Sequence, residues 1–269
     1  MKALRTEEEW ARQVMSYALG VPVLQHDDGS VGGMYDLDVV YDGETAAAEV
    51  ISAADGESIA LWNLMNGRDE TWVVDELQGG WMVSLESTAR AKRLRTELPR
   101  LLQELEMSGL TGFRRGRTSA KDQFSEVAHA LGVASAMQNG TDVPGSIYIT
   151  IQLPRERAGG FLADTGDALP AWVAEFLRAP KRRDVLDKLA RSGRSERHAF
   201  VFLPGFAEAP FGVTDLLMRN SAPLPLANPQ LPDEVTHVWL VSGWSSGRGF
   251  RWSPTDGWSF FDKLQVTAA

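Results

Sequence analysis

Asp36 and Asp38 precede Glu49 by 13 and 11 positions, and the polar run Asp42-Gly43-Glu44 lies between them. Two short apolar segments joined by such a turn predict an antiparallel hairpin. Side chains alternate across a strand. Tyr35, Leu37, Val39 and Tyr41 are therefore expected on one face, Asp36, Asp38 and Val40 on the other, and Ala47, Glu49 and Ile51 share a face of the second strand. Pairing the strands brings Asp36 or Asp38 to Glu49. Converging carboxylates suit a hard divalent cation such as Mg²⁺, which takes oxygen ligands and keeps some of its water. Without a cation they repel each other.

The elements around this hairpin must hold it in place. Thr6–Leu19 reads as a helix, with a capping box of Thr6 and Glu9, a stripe of Trp10, Val14 and Ala18, and a stop at Gly20 and Pro22. Asp55–Leu64 predicts a short helix and Trp81–Leu85 a buried strand. Ser87–Glu106 carries leucines at helical spacing, with Pro99 expected to kink or divide it. Ser119–Met137 predicts a further amphipathic helix, and Ile147–Leu153 a half-buried strand. Pro170–Leu189 is helical with a break near Pro180. Ala199–Leu203 and Val235–Val241 read as strands, Phe211–Met218 as a helix, Ser221–Asp233 as a Pro-rich connector, and Gly249–Trp252 with Trp258–Phe261 as a hairpin. This order predicts an α/β protein, a mixed β-sheet flanked by helices. A single α/β domain over 1–269 is expected: a core in 1–110, and helices and strands of 111–269 extending the same sheet up to a Trp-rich hairpin.

The acidic hairpin resembles the restriction-endonuclease-like, or PD-(D/E)XK, nuclease superfamily. That pattern is an acid on one strand, an acid on the next about ten or more positions later, one spacer, then Lys. Asp38 or Asp36 and Glu49 match the acids, and Thr6–Leu19, with Glu7, Glu8 or Glu9, matches the family's leading helix. The chain departs at the lysine, where Ile51 stands and cannot orient or activate a water. The resemblance implies a restriction-endonuclease-like core, Asp38 and Glu49 as catalytic residues, and Asp36, Asp38 and Glu49 as ligands for Mg²⁺. A lysine must then come from elsewhere; Lys92 and Lys121 are nearest in sequence.

Composition narrows the class. The chain has 269 residues, 43% hydrophobic and 23% charged, as a globular protein has. The lack of an apolar run of about 18 residues predicts no membrane span, and the N-terminus lacks the apolar stretch of a signal peptide. With no Cys, disulfides and Cys-based zinc sites are excluded. A bacterial-type cytoplasmic protein is the expectation. The net charge of −9 argues against bulk attraction to nucleic acid. Yet two basic clusters follow the acidic start. One runs from Arg90 to Arg100 and on through Arg114, Arg115, Arg117 and Lys121; the other from Arg178 to Arg197. They are either a surface for a phosphate backbone, with Arg114, Arg115, Arg117 and Lys121 contacting nucleic acid, or solvated helix faces paired with nearby acids.

Other chemistry is poorly supported. His26, His129, His198 and His237 show no metal-ligand spacing and read as structural, although His26, beside Asp27 and Asp28, could orient a phosphate or a water. Gly243–Gly249 lacks the Lys-Ser/Thr end of a phosphate-binding loop, and Ser245 and Ser246 lack a nucleophile elbow. Of the nine Trp, Trp239, Trp244, Trp252 and Trp258 cluster near the end, where large rings cap a sheet core or, beside Arg248 and Arg251, stack on bases. Two functions follow as alternatives: a metal-dependent nuclease acting on DNA phosphodiesters, active or degenerate, or a non-enzymatic binding module that contacts a protein partner on the same scaffold. Neither involves a membrane, and both leave room for a homodimer.

Overall fold

The structure is a computed structural model and describes residues 2–67, 72–114, 122–140, 142–159 and 165–263. It is mixed α/β, with two mixed sheets flanked by helices, and the chain divides into two compact units: Met1–Ala54 with Gly159–Ala269, and Asp55–Ala158. The expectation that 111–269 extends one sheet is not met, because the strands of 112–151 belong to the second unit's own sheet. No long polar linker marks the insertion, so composition does not reveal it.

The first unit opens with α1 (Thr6–Leu19), β1 (Val23–Gln25), β2 (Leu37–Val40) and β3 (Thr45–Ser52). The capping box of α1 forms one residue earlier than expected: Arg5 is the N-cap, and its backbone N–H donates to Glu8 rather than Thr6 pairing with Glu9. Acids in the first turn suit the positive end of the helix dipole, and Gly20, at φ +69°, ends the helix.

The second unit contains α2 (Gly56–Asn66), β4 (Trp72–Val73), β5 (Trp81–Leu85), α3 (Ala91–Met107), β6 (Gly112–Arg114), α4 (Asp122–Leu131), β7 (Val133–Gln138), β8 (Ser146–Ile151) and α5 (Arg155–Ala158). Its sheet runs β4-β8-β5-β7-β6. Helix α3 is not divided at Pro99, and Leu94, Leu98, Leu101, Leu102 and Leu105 are all buried along it. The helix expected to reach Met137 stops at Leu131. Gly132, at φ +73°, turns the chain where a Cβ would collide with Ala89, and the alternating residues beyond form β7.

The chain then returns to the first unit with α6 (Ala168–Arg178), a 3₁₀ turn at Pro180–Arg182, α7 (Arg183–Arg191), β9 (Arg197–Leu203), α8 (Phe211–Met218), β10 (His237–Ser242), β11 (Gly249–Ser253) and β12 (Gly257–Phe261). The sheet order is β1-β2-β3-β9-β10-β11-β12; β3, β9 and β10 are parallel, and the other pairings are antiparallel. Each face has its own core. Trp10, Val14 and Met15 of α1 pack with Leu37, Val39, Ala48, Val50, Phe200 and Trp239. Residues of α6, α7 and α8 pack with Ala47, Ile51, Val201 and Leu240. Trp239 and Trp258 are buried, as sheet-capping rings should be, and Trp244 is half exposed. Among the described residues no helix is long and apolar enough to cross a membrane.

Candidate functional site

The hairpin forms with Asp38 opposite Ala47 and Leu37 opposite Ala48. One position further on, just before β2, Asp36 meets Glu49. The Asp36 backbone N–H donates to Glu49 Oε2 at 3.1 Å, and the Val50 N–H donates to Asp36 Oδ2 at 2.8 Å. Both carboxylates are buried, each 3% exposed. The alternation of Ala47, Glu49 and Ile51 holds, with Ala47 and Ile51 in the core beneath α7. Tyr35 departs from the expected pattern. It lies in that same core instead of with Leu37 and Val39, because the segment before Leu37 is not yet strand.

Lys188, on α7, completes the arrangement. Leu186 and Leu189 anchor α7 in the core, and the Lys188 Nζ donates to Glu49 Oε1 at 2.7 Å and lies 3.7 Å from Asp184. Of the lysines nearest in sequence, Lys92 lies on α3 in the second unit, and Lys121 lies outside the described residues. Lys188 appears in the sequence only as one member of a basic cluster, and nothing local marks it as the residue that reaches Glu49.

The electrostatics follow from burial. Glu49 is pushed up to about 8, first by loss of solvent and then by the Asp36 charge, while the Lys188 bond pulls the other way. Burial also raises Asp36, and Glu8 adds to the rise, whereas the Val50 N–H, Lys188 and Arg5 oppose it. Burial works against the charge of Lys188, but its bond to Glu49 and the surrounding acids hold its pKa above the usual lysine value. Of the three acids at the start of α1, Glu8 is the buried one, and Arg5 occupies its oxygens through the backbone N–H and the guanidinium, each at 2.6 Å.

Asp38 belongs to a neighbouring group. Its Oδ1 accepts from the Tyr35 hydroxyl at 2.7 Å, its Oδ2 lies 2.9 Å from His26 Nδ1, and the His26 and Tyr35 rings stack with centroids 3.8 Å apart. The Arg194 guanidinium lies against the Tyr35 hydroxyl. Of the two aspartates considered, Asp36 is therefore the partner of Glu49, and Asp38 braces the rim.

Of the anticipated nucleic-acid contacts, Arg114 is the one among the described residues. Arg114 lies on β6 in the second unit, where it lines a broad concavity of about 1040 Å³ with Met82, Phe113 and Thr150. Arg115, Arg117 and Lys121 lie outside the described residues. The second basic cluster is largely absorbed by structure. Lys181 and Arg182 pair with Glu208, Arg183 with Asp187, and Arg178 and Arg197 donate to backbone carbonyls.

Sequence spacing also misses a second group. The parallel pairing of β9 and β10 sets His198 beside His237, and Glu196 closes the cluster. One ligand atom from each lies within 4.8 Å of the others, so the cluster could hold a metal ion. Glu196 is held down to about 2, chiefly by its contact with His198, and it also accepts from the Tyr41 hydroxyl at 2.8 Å. Burial lowers His198, and burial together with His198 lowers His237 to about 4. One feature opposes a metal. The Trp239 indole N–H donates to His198 Nδ1 at 3.1 Å, so a neutral His198 carries its proton on Nε2, the atom that faces Glu196 at 2.8 Å. No family model matches the chain, and neither a curated protein nor a solved structure matches it.

Proposed function

We propose that this protein is a divergent metal-dependent phosphodiesterase of the restriction-endonuclease-like kind, acting on DNA. The carrying observation is Glu49 held between the Asp36 backbone N–H and the Lys188 ammonium, with the Asp36 carboxylate buried beside it. The order of α1, β1, β2 and β3, followed after the inserted unit by helices and a strand parallel to β3, supports the same core.

The residues present fit a hard cation. Asp36 and Glu49 offer only oxygen donors, both resist ionising without compensation, and among the described residues Asp36 Oδ1 accepts no hydrogen bond. Asp36 and Glu49 would hold Mg²⁺, which when bound polarises a phosphate and lowers the pKa of a water. Lys188 would shift its ammonium from Glu49 toward the attacking water or a phosphate oxygen, stabilising charge that grows on the phosphate. His26 and Tyr35, tied together by Asp38, would keep the segment before β2 in place. A bacterial cytoplasm, where DNA is accessible, is the compartment that suits this activity.

The test is plasmid cleavage in Mg²⁺ or Mn²⁺ by wild type, Asp36→Asn, Glu49→Gln and Lys188→Met. Nicking that disappears in all three variants supports the proposal. Nicking that persists unchanged in them removes it. Wild-type protein that folds, binds a protein partner and never nicks DNA would favour the scaffold alternative, for which Ile51 buried in apolar surroundings is the supporting observation.

A further inference from the structure

Resting on the phosphodiesterase proposal, we infer that Arg191 and Arg194 form a phosphate grip that seats the strand to be cut beside Glu49. Most of the surrounding basic cluster directs its terminal nitrogens to acids or backbone carbonyls; among the described residues those of these two arginines have neither. Arg191 Nε donates to the Asp187 carbonyl at 3.0 Å, and among the described residues its guanidinium has no carboxylate partner. Its two terminal nitrogens lie over Gly33, where a Cβ would sit 3.1 Å from each. Gly33 has φ +80°, a conformation that suits glycine. The bare backbone at Gly33 therefore lets the guanidinium approach. Arg194, just beyond the end of α7, rests on the Tyr35 hydroxyl, and its Nε is buried without a hydrogen-bond partner.

Placement makes these charges a set. Lys188 and Arg191 are three residues apart on α7 and so share a helix face, with Cβ atoms about 5–6 Å apart. Arg194 continues the line past the helix end. Lys188 meets Glu49, Arg191 covers Gly33 and Arg194 meets Tyr35, so all three cations border the segment that delivers Asp36. Guanidinium groups match phosphate oxygens in planar, two-pronged fashion. In a protein of net charge −9, such a row makes a local exception along which an anionic strand can lie. The occupant is the phosphate backbone of duplex DNA, read without regard to sequence.

Binding of a fluorescently labelled 30-base-pair duplex, titrated in EDTA over a salt series, tests this without catalysis. Each phosphate contact contributes about 0.9 to the slope of log K against log salt. Arg191→Ala and Arg194→Ala should each flatten the wild-type slope by about 0.9, and the double variant by about 1.8. Arg191→Lys and Arg194→Lys should restore most of it. Arg183→Ala removes the same charge from the same helix, but its partner is Asp187, so the slope should not change. An unchanged slope in Arg191→Ala, or an equal drop in Arg183→Ala, overturns the grip. Arg191 bonds only a backbone carbonyl of its own helix, so its loss does not threaten the fold and the single variant decides. Plasmid nicking in Mn²⁺ separates the two claims: a wild type that nicks DNA while Arg191→Ala keeps its slope loses the grip alone. A wild type that binds through the arginines yet never nicks loses the catalytic claim alone. A wild type that neither binds nor nicks loses both.

Discussion

Lys188 Nζ lies 2.7 Å from Glu49 Oε1, although 139 residues separate them in sequence. The contact is mostly enclosed: the Glu49 side chain is 3% exposed and that of Lys188 is 19% exposed. Breaking a buried pair by removing one partner costs about 3–5 kcal/mol, because the other charge is left uncompensated. Lys188→Met should fall near the lower end, about 3 kcal/mol, since water reaches Lys188 and Glu49 can take up a proton instead. Lys188→Met combined with Glu49→Gln should recover much of the loss. Urea unfolding of the two single variants and the double variant checks this. A Lys188→Met protein as stable as wild type would show that the pair is not formed in solution.

The raised pKa of Glu49 gives stability a distinctive pH dependence. A carboxyl that holds its proton more tightly when folded favours the folded state at low pH. That advantage fades as pH rises from the ordinary glutamate range to about 8. The lowered His198 and His237 act with the opposite sign below the ordinary histidine range, since there the unfolded chain binds the extra protons. The difference between wild type and Glu49→Gln isolates the Glu49 effect. Relative to the variant, wild type should lose stability steadily between about pH 5 and 8. Thermal unfolding in steps of pH checks it, and a flat difference curve would mean that Glu49 ionises as an ordinary surface acid.

How much of this was readable from the chain differs from residue to residue. The hairpin was legible because alternation and the Asp42-Gly43-Glu44 turn act locally, and α1, β9, α8 and the last hairpin were legible for similar reasons. The choice between Asp36 and Asp38 was not, because it depends on the irregular step at Tyr35 just before β2, which moves that ring to the opposite core from Leu37. Lys188 was hidden because α7 owes its position to Leu186 and Leu189 packing against a sheet laid down much earlier in the chain. The Glu196, His198 and His237 cluster exists only through the parallel register of β9 and β10, and no spacing rule encodes that register.

A divalent cation bound by Asp36 and Glu49 should stabilise the fold. At a hundredfold excess over Kd the gain is about 2.7 kcal/mol, a rise of about 5–10 °C in Tm for a unit of this size. Asp36→Asn and Glu49→Gln should each abolish the response to Mg²⁺ or Mn²⁺, whereas Asp38→Asn, which loosens His26 and Tyr35, should retain it. Because Glu49 must give up a proton to bind, metal affinity should climb as pH rises toward 8. Calorimetry across metal concentration and pH reads both effects. Loss of the metal response in Asp38→Asn alone would transfer the ligand role to Asp38.

The histidine cluster should respond to a different class of metal, and only weakly. Two nitrogens and one carboxylate suit Zn²⁺ or Co²⁺ better than Mg²⁺. A metal on His198 Nε2 requires the proton to move to Nδ1, where it meets the Trp239 indole N–H head on. Trp239→Phe removes that opposing donor. Leaving a buried polar atom without its partner costs about 1–3 kcal/mol, so the variant should unfold more easily without metal. For the same reason it should bind Co²⁺ roughly ten- to a hundredfold more tightly than wild type. His237→Ala in the Trp239→Phe background should remove that gain. The absorption bands of bound Co²⁺, titrated in wild type and both variants, measure the affinities. Wild type binding Co²⁺ as tightly as Trp239→Phe would show that the indole does not hold His198 in its metal-refusing form.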